Sequence, residues 1–404
     1  MFVDLIVVGG GAAGFFSAIT CAELSEKSVL VLEKTSQLLQ KVRISGGGRC
    51  NVTHACFEPR ELATFYPRGE KSLIGPFHRF GPTDTVEWFE SRGVALKTEA
   101  DGRMFPTTDD SQTIVDALLG AAEDAGVTIR SSEGVTSITK SDAGFEVETD
   151  NGGSYTAAHV LLATGGTRSA SGAKLAAALG HDLLPATPSL FTFKIDDPRL
   201  DGLAGLSVDN ADVTILDSKL ASSGPVLITH WGLSGPGILK ISAWGARELA
   251  ERDYHFDVSV DWLPGTDVSA AIADLRDTER KRRLTSRSPF PAIPKRLWQR
   301  MIATAGVSEA TTWSDLPKKQ AAALERELKT ATFAVTGKSM NKAEFVTCGG
   351  VTRNEIDFNT MESKLVPGLY FAGEILDVDG VTGGFNFQNA WTNGFHAGSD
   401  IASR

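Results

Sequence analysis

The stretch "FVDLIVVGGGAAGFFSAITCAELSE", residues 2–26, decides the fold. It begins with a short apolar run rich in β-branched side chains, which suits a strand buried in a parallel sheet. Gly9, Gly11 and Gly14 then spell GxGxxG, and Phe15, Ala18, Ile19 and Ala22 follow at helical spacing. In a strand–turn–helix of this kind the three glycines serve a tight turn, close approach of a pyrophosphate, and close packing of helix on strand. Ala12 and Ala13 open the helix, whose unsatisfied N–H groups face the phosphates. A second strand, "SVLVLE" at 28–33, ends on Glu33, where an acid reaches a ribose hydroxyl, and Lys34 follows it. Strand, glycines, helix and acid together read as a site for a dinucleotide with an unphosphorylated adenosine ribose.

Bulk properties narrow the class. The chain has 404 residues, more than one core usually serves, so two or three domains are expected. With 42% hydrophobic and 22% charged residues it reads as an ordinary packed protein. No secretory signal precedes the first strand, and no apolar run is long enough to suggest a membrane span. The four cysteines, Cys21, Cys50, Cys56 and Cys348, make neither a CxxC pair nor a zinc-ligand spacing, so no metal is expected and a reducing cytoplasm fits. A formal net charge of -10 disfavours wholesale binding to nucleic acid or anionic lipid. One segment departs from this: Arg280 to Arg300 holds eight Lys or Arg and no acid, with Phe290 and Trp298 interleaved. It reads as a solvated face or as a phosphate-binding patch.

The adenosine half cannot separate FAD from NAD. Near the far end, "LVPGLYFAGEILDVDGVTGGFNFQNAWTNGFHAG" supplies a buried strand that stops at Gly373 and Glu374. It then passes Gly383 and Gly384 into an amphipathic helix opening at Phe385 and Asn386. An acid at a strand end suits a ribityl chain, and a helix N-terminus stabilises negative charge on a reduced flavin ring. FAD uses both; NAD would leave both idle.

These residues also carry a resemblance. "GGGAAG", "ISGGGRCNVT", "GRMFP" (102–106), "THWGLSGPGIL" (229–239), "CGGV" (348–351) and "TMESKLVPGLYFAGEILDVDG" (360–380) resemble the bacterial FAD-dependent flavoprotein family. That family includes aminoacetone oxidase, the bile-acid-inducible flavin reductases and a dihydrouridine synthase acting on large-subunit ribosomal RNA. The likeness spans essentially the whole chain; Arg43 stands where a Lys or Leu is expected. It implies an α/β fold: a discontinuous, glutathione-reductase-like Rossmann FAD-binding domain with an inserted antiparallel β domain and a helical lobe. The expected division is 1–187 with 340–404 for FAD, 188–265 with 330–339 for a barrel-like β domain, and 266–329 for the helical lobe.

Within that frame "LFTFKI", "LSVDNADVTIL", "GPVLITH" and "YHFDVSV" read as short antiparallel strands. "DVSAAIADLRDTERKRRL", "PKRLWQRMIATAG" and "LPKKQAAALERELK" read as helices. By resemblance to flavin-type folds, the strand "AAHVLLATGG" is expected to bring Thr164, Gly165 and Gly166 beside the pyrophosphate, and Val135 to offer backbone to adenine. The triplet Gly46, Gly47 and Gly48 lets backbone take left-handed conformations or lie along a ligand. Lys41, Arg43, Ser45, Arg49, Cys50 and Asn51 join the expected cofactor-binding set around it.

Cys50 and Asn51 are the candidate catalytic residues. The five-residue gap to Cys56 and the lack of a second GxGxxG argue against a redox disulfide, leaving Cys50 as a free thiol near the ring. Asn51 offers both donor and acceptor to the polar edge of an isoalloxazine, or else simply forms a turn. Arg49 is assigned to the cofactor phosphates, the alternatives being an anionic flavin or a surface carboxylate. Arg103 and His230 are further pocket candidates, with Ser234 as a helix N-cap.

The expected function is an FAD-dependent oxidoreductase with non-covalent FAD, moving a hydride between flavin N5 and a small molecule. Oxidation of a small amine and reduction of an activated C=C both fit, with NADH or NADPH as a transient donor. A dihydrouridine synthase meeting ribosomal RNA through 280–300 is the alternative, and a flavin-binding redox sensor without turnover is the rival of another class. No membrane partner is expected.

Overall fold

The run Phe2–Val8 is the central strand of a nine-stranded sheet, with Leu5, Ile6 and Val7 fully buried. It pairs in parallel with Val29–Leu32 on one side, Leu5 opposite Val29, and with Ser154–Leu162 on the other, Val8 opposite Leu162. Thr128–Arg130 and Leu369–Phe371 extend the parallel array outward. Continuous apolar runs form these strands because both faces are covered, and each such buried side chain contributes roughly 1.5–3 kcal/mol. The hairpin of Val135–Ser141 and Gly144–Thr149 adds antiparallel strands beside Ser154–Leu162. The structure is a computed structural model describing residues 1–166, 170–339 and 346–404.

The chain divides into two compact units, Met1–Pro188 with Lys342–Arg404, and Ser189–Asn341. The expected join at 340 lies outside the described residues. In the first unit the fingerprint helix Ala12–Leu24 packs against the C-terminal helix Phe385–Ser403. Their backbones come close because Gly394 and Gly398 have no side chains: a Cβ at Gly398 would lie 2.6 Å from the Ser17 carbonyl oxygen. Residues 183–189, across which the expected division at 187/188 falls, form a strand, Leu183–Ser189, paired with Val346–Val351.

The second unit is built on a closed six-stranded barrel: Thr192–Lys194, Gly232–Ser234, Ala221–Thr229, Ser207–Ile215, His255–Asp261 and Ala331–Ser339, in that spatial order. Every pair in it is antiparallel, and closure removes the unpaired edges that an open sheet would expose. Helices Val268–Thr278, Lys295–Thr304 and Lys318–Lys329 share one apolar core with the barrel, through Trp298, Trp313, Leu324 and Leu328 among others. The first of these stops at Thr278, short of the Leu284 expected from sequence. Arg280 and Arg282 instead accept backbone hydrogen bonds from Ser314 and Trp313, a tertiary pairing that overrides helical propensity. Gly235 rather than Ser234 is the N-cap of Pro236–Trp244; the Ser234 hydroxyl is taken by Thr192 at 2.8 Å.

Candidate flavin site

The three fingerprint glycines divide their labour. A Cβ at Gly9, whose φ is +116°, would strike the Ala163 carbonyl, and one at Gly14 would strike the Gly9 carbonyl, so both are required by packing. A Cβ at Gly11 would meet no protein atom within 4 Å. Gly11 therefore leaves bare backbone over space the first unit does not fill, at the N-cap of a helix whose first turn carries no acid. The N–H groups of that turn, including those of Ala12, Ala13 and Gly14, have no intrahelical acceptor.

Glu33 closes this end. One carboxylate oxygen accepts the Gly10 N–H at 2.8 Å, and the other accepts the Thr35 N–H and hydroxyl at 2.8 and 2.9 Å. The Glu33 carbonyl accepts the Glu133 N–H at 2.9 Å, which brings the chain leading into half-buried Val135 alongside. The Lys34 stem lies 3.0 Å from where a Gly134 Cβ would sit, so Lys34 borders the same side.

The glycine triplet takes an unusual path. Gly46, Gly47 and Gly48 all have positive φ, +58°, +69° and +86°, and Cys50 follows at +59°. Such a run is inexpensive only for glycine. Gly47 and Gly48 face open space, as does Gly165 at φ +75°, whereas a Cβ at Gly46 would crowd the Phe105 ring at 3.0 Å. The Ser45 carbonyl accepts the Cys50 N–H at 3.0 Å, which pins the turn.

A second wall comes from Gly373 and Glu374. Glu374 accepts the Thr347 N–H at 2.8 Å, pairs with Lys41, and lies 3.1 Å from the position of a Gly166 Cβ. The segment Thr164–Gly166, Lys41 at the start of the helix Gln40–Gly48, and the strand-end acid are thus brought together. Gly373, at φ +77°, presses toward Ala13.

Asn51 and the C-terminal helix meet directly. With its amide oriented to satisfy both ends, Asn51 donates to the carbonyls of Thr53 at 3.0 Å and Met104 at 3.3 Å. Its oxygen accepts the Gly384 N–H at 2.9 Å. Gly384, at φ +94°, is the N-cap of Phe385–Ser403, and a Cβ there would lie 2.5 Å from the Thr53 carbonyl. Asn386 spends both ends of its amide on Gly380, at 2.9 and 2.8 Å. Phe385 is buried, stacked on Phe65 with centroids 4.4 Å apart, and its carbonyl accepts the Tyr66 hydroxyl at 2.6 Å. No acid lies in this helix's first turn, so its positive dipole end is unopposed there.

Other expected contacts go elsewhere. Arg49 pairs with Glu99 at 2.6 Å and Asp109 at 3.5 Å and stacks on Phe105, so its guanidinium is held by carboxylates rather than free for phosphates. Arg43 donates to Gln112, and its carbonyl accepts the Ser111 hydroxyl. Arg103 pairs with Asp101 and Glu99. The Ser45 hydroxyl donates to the Val42 carbonyl at 3.0 Å. Cys50 is fully buried and burial pushes its thiol up to about 12; Cys50 and Cys56 are both free thiols. His230 sits exposed at a hairpin tip of the barrel.

Several supporting residues escaped the sequence reading. Arg68 is buried against Asp379, its Nε donating at 2.5 Å to a carboxylate with no exposed surface, and the two clamp the loop before the C-terminal helix. Thr347 orients Glu374. Only Gly394 and Gly398, four apart in "NGFHAGSD", left a legible signal of close helix packing. Among the described residues no group of three or more His, Cys, Asp or Glu could hold a metal ion, and no helix is long and apolar enough to cross a membrane.

Bare glycine backbone at Gly11, Gly47, Gly48 and Gly165, an acid at each of two strand ends and two helix N-termini without first-turn acids fit an extended dinucleotide. The class so defined is a Rossmann-type FAD-dependent oxidoreductase. The chain belongs to the family described as "HI0933-like protein Rossmann domain", whose model matches residues 3–400. It is 32% identical to the Escherichia coli protein named ribosomal RNA dihydrouridine synthase, over 98% of each chain. It is 29% identical to the Clostridium scindens 3-dehydro-bile acid delta(4,6)-reductase, again over 98% of each. Among solved structures, the Rhodococcus jostii 3-ketosteroid-delta4-(5alpha)-dehydrogenase shares the fold, with a TM-score of 0.55 and 16% identity over 100% of this chain and 97% of that one.

Proposed function

We propose that this flavoenzyme reduces a carbon–carbon double bond conjugated to a carbonyl. The observation that carries the reading is the bond type common to the names of two relatives matched over nearly their full length. Dihydrouridine is uridine with its ring C=C saturated, and a 3-dehydro delta(4,6) acid is a conjugated dienone. Saturating one such C=C takes one hydride and one proton. FAD, when bound, supplies the hydride chemistry at N5.

The chain's own residues hold and polarise. Ala12, Ala13 and Gly14 present N–H groups to the pyrophosphate across Gly11, Glu33 takes the adenosine ribose, and the Val135 backbone borders adenine. Thr164 to Gly166, Glu374 and the triplet line the middle of the cofactor. The Phe385 helix terminus, held at Gly384 by Asn51, favours negative charge on the ring. Cys50, a neutral buried thiol, shapes a wall and supplies no thiolate. NADH or NADPH serves as a transient donor, and the buried thiols of Cys21, Cys50 and Cys56, none of them in a disulfide, agree with a reducing cytoplasm.

Two substrate forms suit this chemistry, a free enone and a uracil within RNA, the second favoured by the basic segment considered below. Anaerobic incubation of the reduced enzyme with cyclohexenone and with uridine-containing RNA, followed by mass spectrometry, separates them. The expected result is a product heavier by two hydrogens from at least one. If neither gains mass while a small amine reduces the oxidised enzyme, the reading is wrong.

A further inference from the structure

Charge is divided unevenly along the chain. Residues 266–329 carry thirteen Lys and Arg against eight Asp and Glu, in a protein whose formal net charge is -10. The excess is concentrated at 280–300, where eight cations occur without an acid. We infer that this face of the barrel-containing unit docks the sugar-phosphate backbone of RNA, an inference that rests on the uracil form of the proposed reaction.

The placement of the side chains carries the argument. Lys281, Arg283 and Lys295 are exposed, and none of them makes an ion pair among the described residues. Arg296 donates to the Gly202 carbonyl, and Arg300 to those of Pro198 and Asp201. Carbonyls orient these guanidinium groups without neutralising them. Arg280, Arg282 and Arg287 pair with Asp277 and Glu279, and the first and last of these pairs are surface contacts of the kind that phosphate can displace. The cations are held on fixed backbone: Arg283 bridges to Thr312, and Lys295, Arg296 and Arg300 project from the helix Lys295–Thr304, which buries Leu297, Trp298, Met301 and Ile302.

The same placement corrects one expectation and selects the partner. Phe290 and Trp298, interleaved with the cations in sequence, are buried, and the Trp298 indole donates to the Leu284 carbonyl at 2.8 Å. Neither ring is available to stack on a base or enter a lipid layer. What remains is a set of exposed cations without apolar anchors, which suits the phosphates of a nucleic-acid strand better than a membrane surface, where apolar insertion accompanies charge. Binding by such a face is independent of base sequence and strongly salt-dependent.

The test uses the FAD-loaded protein and a fluorescein-labelled RNA stem–loop of roughly the size of one ribosomal hairpin, read by anisotropy over a potassium chloride series. Lys281→Glu/Arg283→Glu/Lys295→Glu should bind about 30-fold or more weakly and flatten the log K against log salt slope by about two, since each lost phosphate contact removes roughly 0.7–0.9. Its flavin absorbance, melting temperature and rate with a small enone should match wild type, whereas Lys71→Glu/Lys219→Glu/Lys364→Glu should leave RNA affinity within about threefold. Equal RNA affinity of the 281/283/295 variant and wild type overturns the inference, as does wild-type binding to phosphatidylserine vesicles without binding to RNA. If wild type reduces neither enone nor RNA, the catalytic reading fails alone, because anisotropy reports docking whether or not turnover occurs.

Discussion

Gly11 and Gly14 look alike in sequence and differ in what they face. Gly14→Ala drives a methyl into the Gly9 carbonyl and should destabilise the first unit by about 1–3 kcal/mol, as overpacking does. Gly11→Val meets no protein atom at its Cβ, so the apoprotein should unfold as wild type does in urea while the purified protein loses its yellow colour. Equal flavin content in Gly11→Val and wild type would contradict the cradle. Cys50 marks the opposite limit of sequence reading. Its place beside three glycines invites a reactive thiol, but only the fold reveals that it is fully buried, with its thiol raised to about 12. Because the folded value is raised, the stability contributed by the neutral thiol is full below the unfolded thiol value and is lost as pH rises through about 12. Turnover between pH 6 and 9 should therefore show no thiol titration, and Cys50→Ser should keep the wild-type profile; a step removed by that substitution would restore the thiolate reading. For Arg49 a surface carboxylate was among the alternatives, but its partners could not be named, since Glu99 and Asp109 lie 50 and 60 residues away.

At the scale of elements, the strand, glycine turn and helix at 2–26 could be read directly, because local periodicity and a short motif specify them. Contacts that join distant segments could not. The Arg68–Asp379 pair spans 311 residues, and nothing near "YPRGE" or "DVDG" announces it. Arg68→Ala leaves the Asp379 carboxylate buried without its guanidinium and should cost about 3–5 kcal/mol by urea denaturation. A change under about 1 kcal/mol would mean that the clamp contributes little to holding the loop ahead of the Phe385 helix. The helix expected through Leu284 shows the same limit from the other side. Residues 280–283 are good helix formers by composition, yet pairing with 312–314 takes their backbone, and that competition is not written in either segment alone.

For the whole molecule, the discontinuous organisation was legible because flavin-type motifs stand at both ends and short alternating strands lie between them. The barrel-like β domain expected between them closes as a six-stranded barrel, while its strand order and the core it shares with three helices required the structure. The bare glycine backbone at Gly11, Gly47, Gly48 and Gly165 lies in one unit, and the basic segment 280–300 lies in the other. The proposed activity, reduction of a C=C conjugated to a carbonyl, is tested most directly by reducing the purified FAD-loaded enzyme anaerobically, mixing it with an enone or uridine-containing RNA, and following flavin absorbance in a single turnover. The expected result is recovery of the oxidised flavin spectrum in step with one equivalent of saturated product. A flavin that stays reduced with every conjugated alkene, yet reoxidises normally in oxygen, would contradict it.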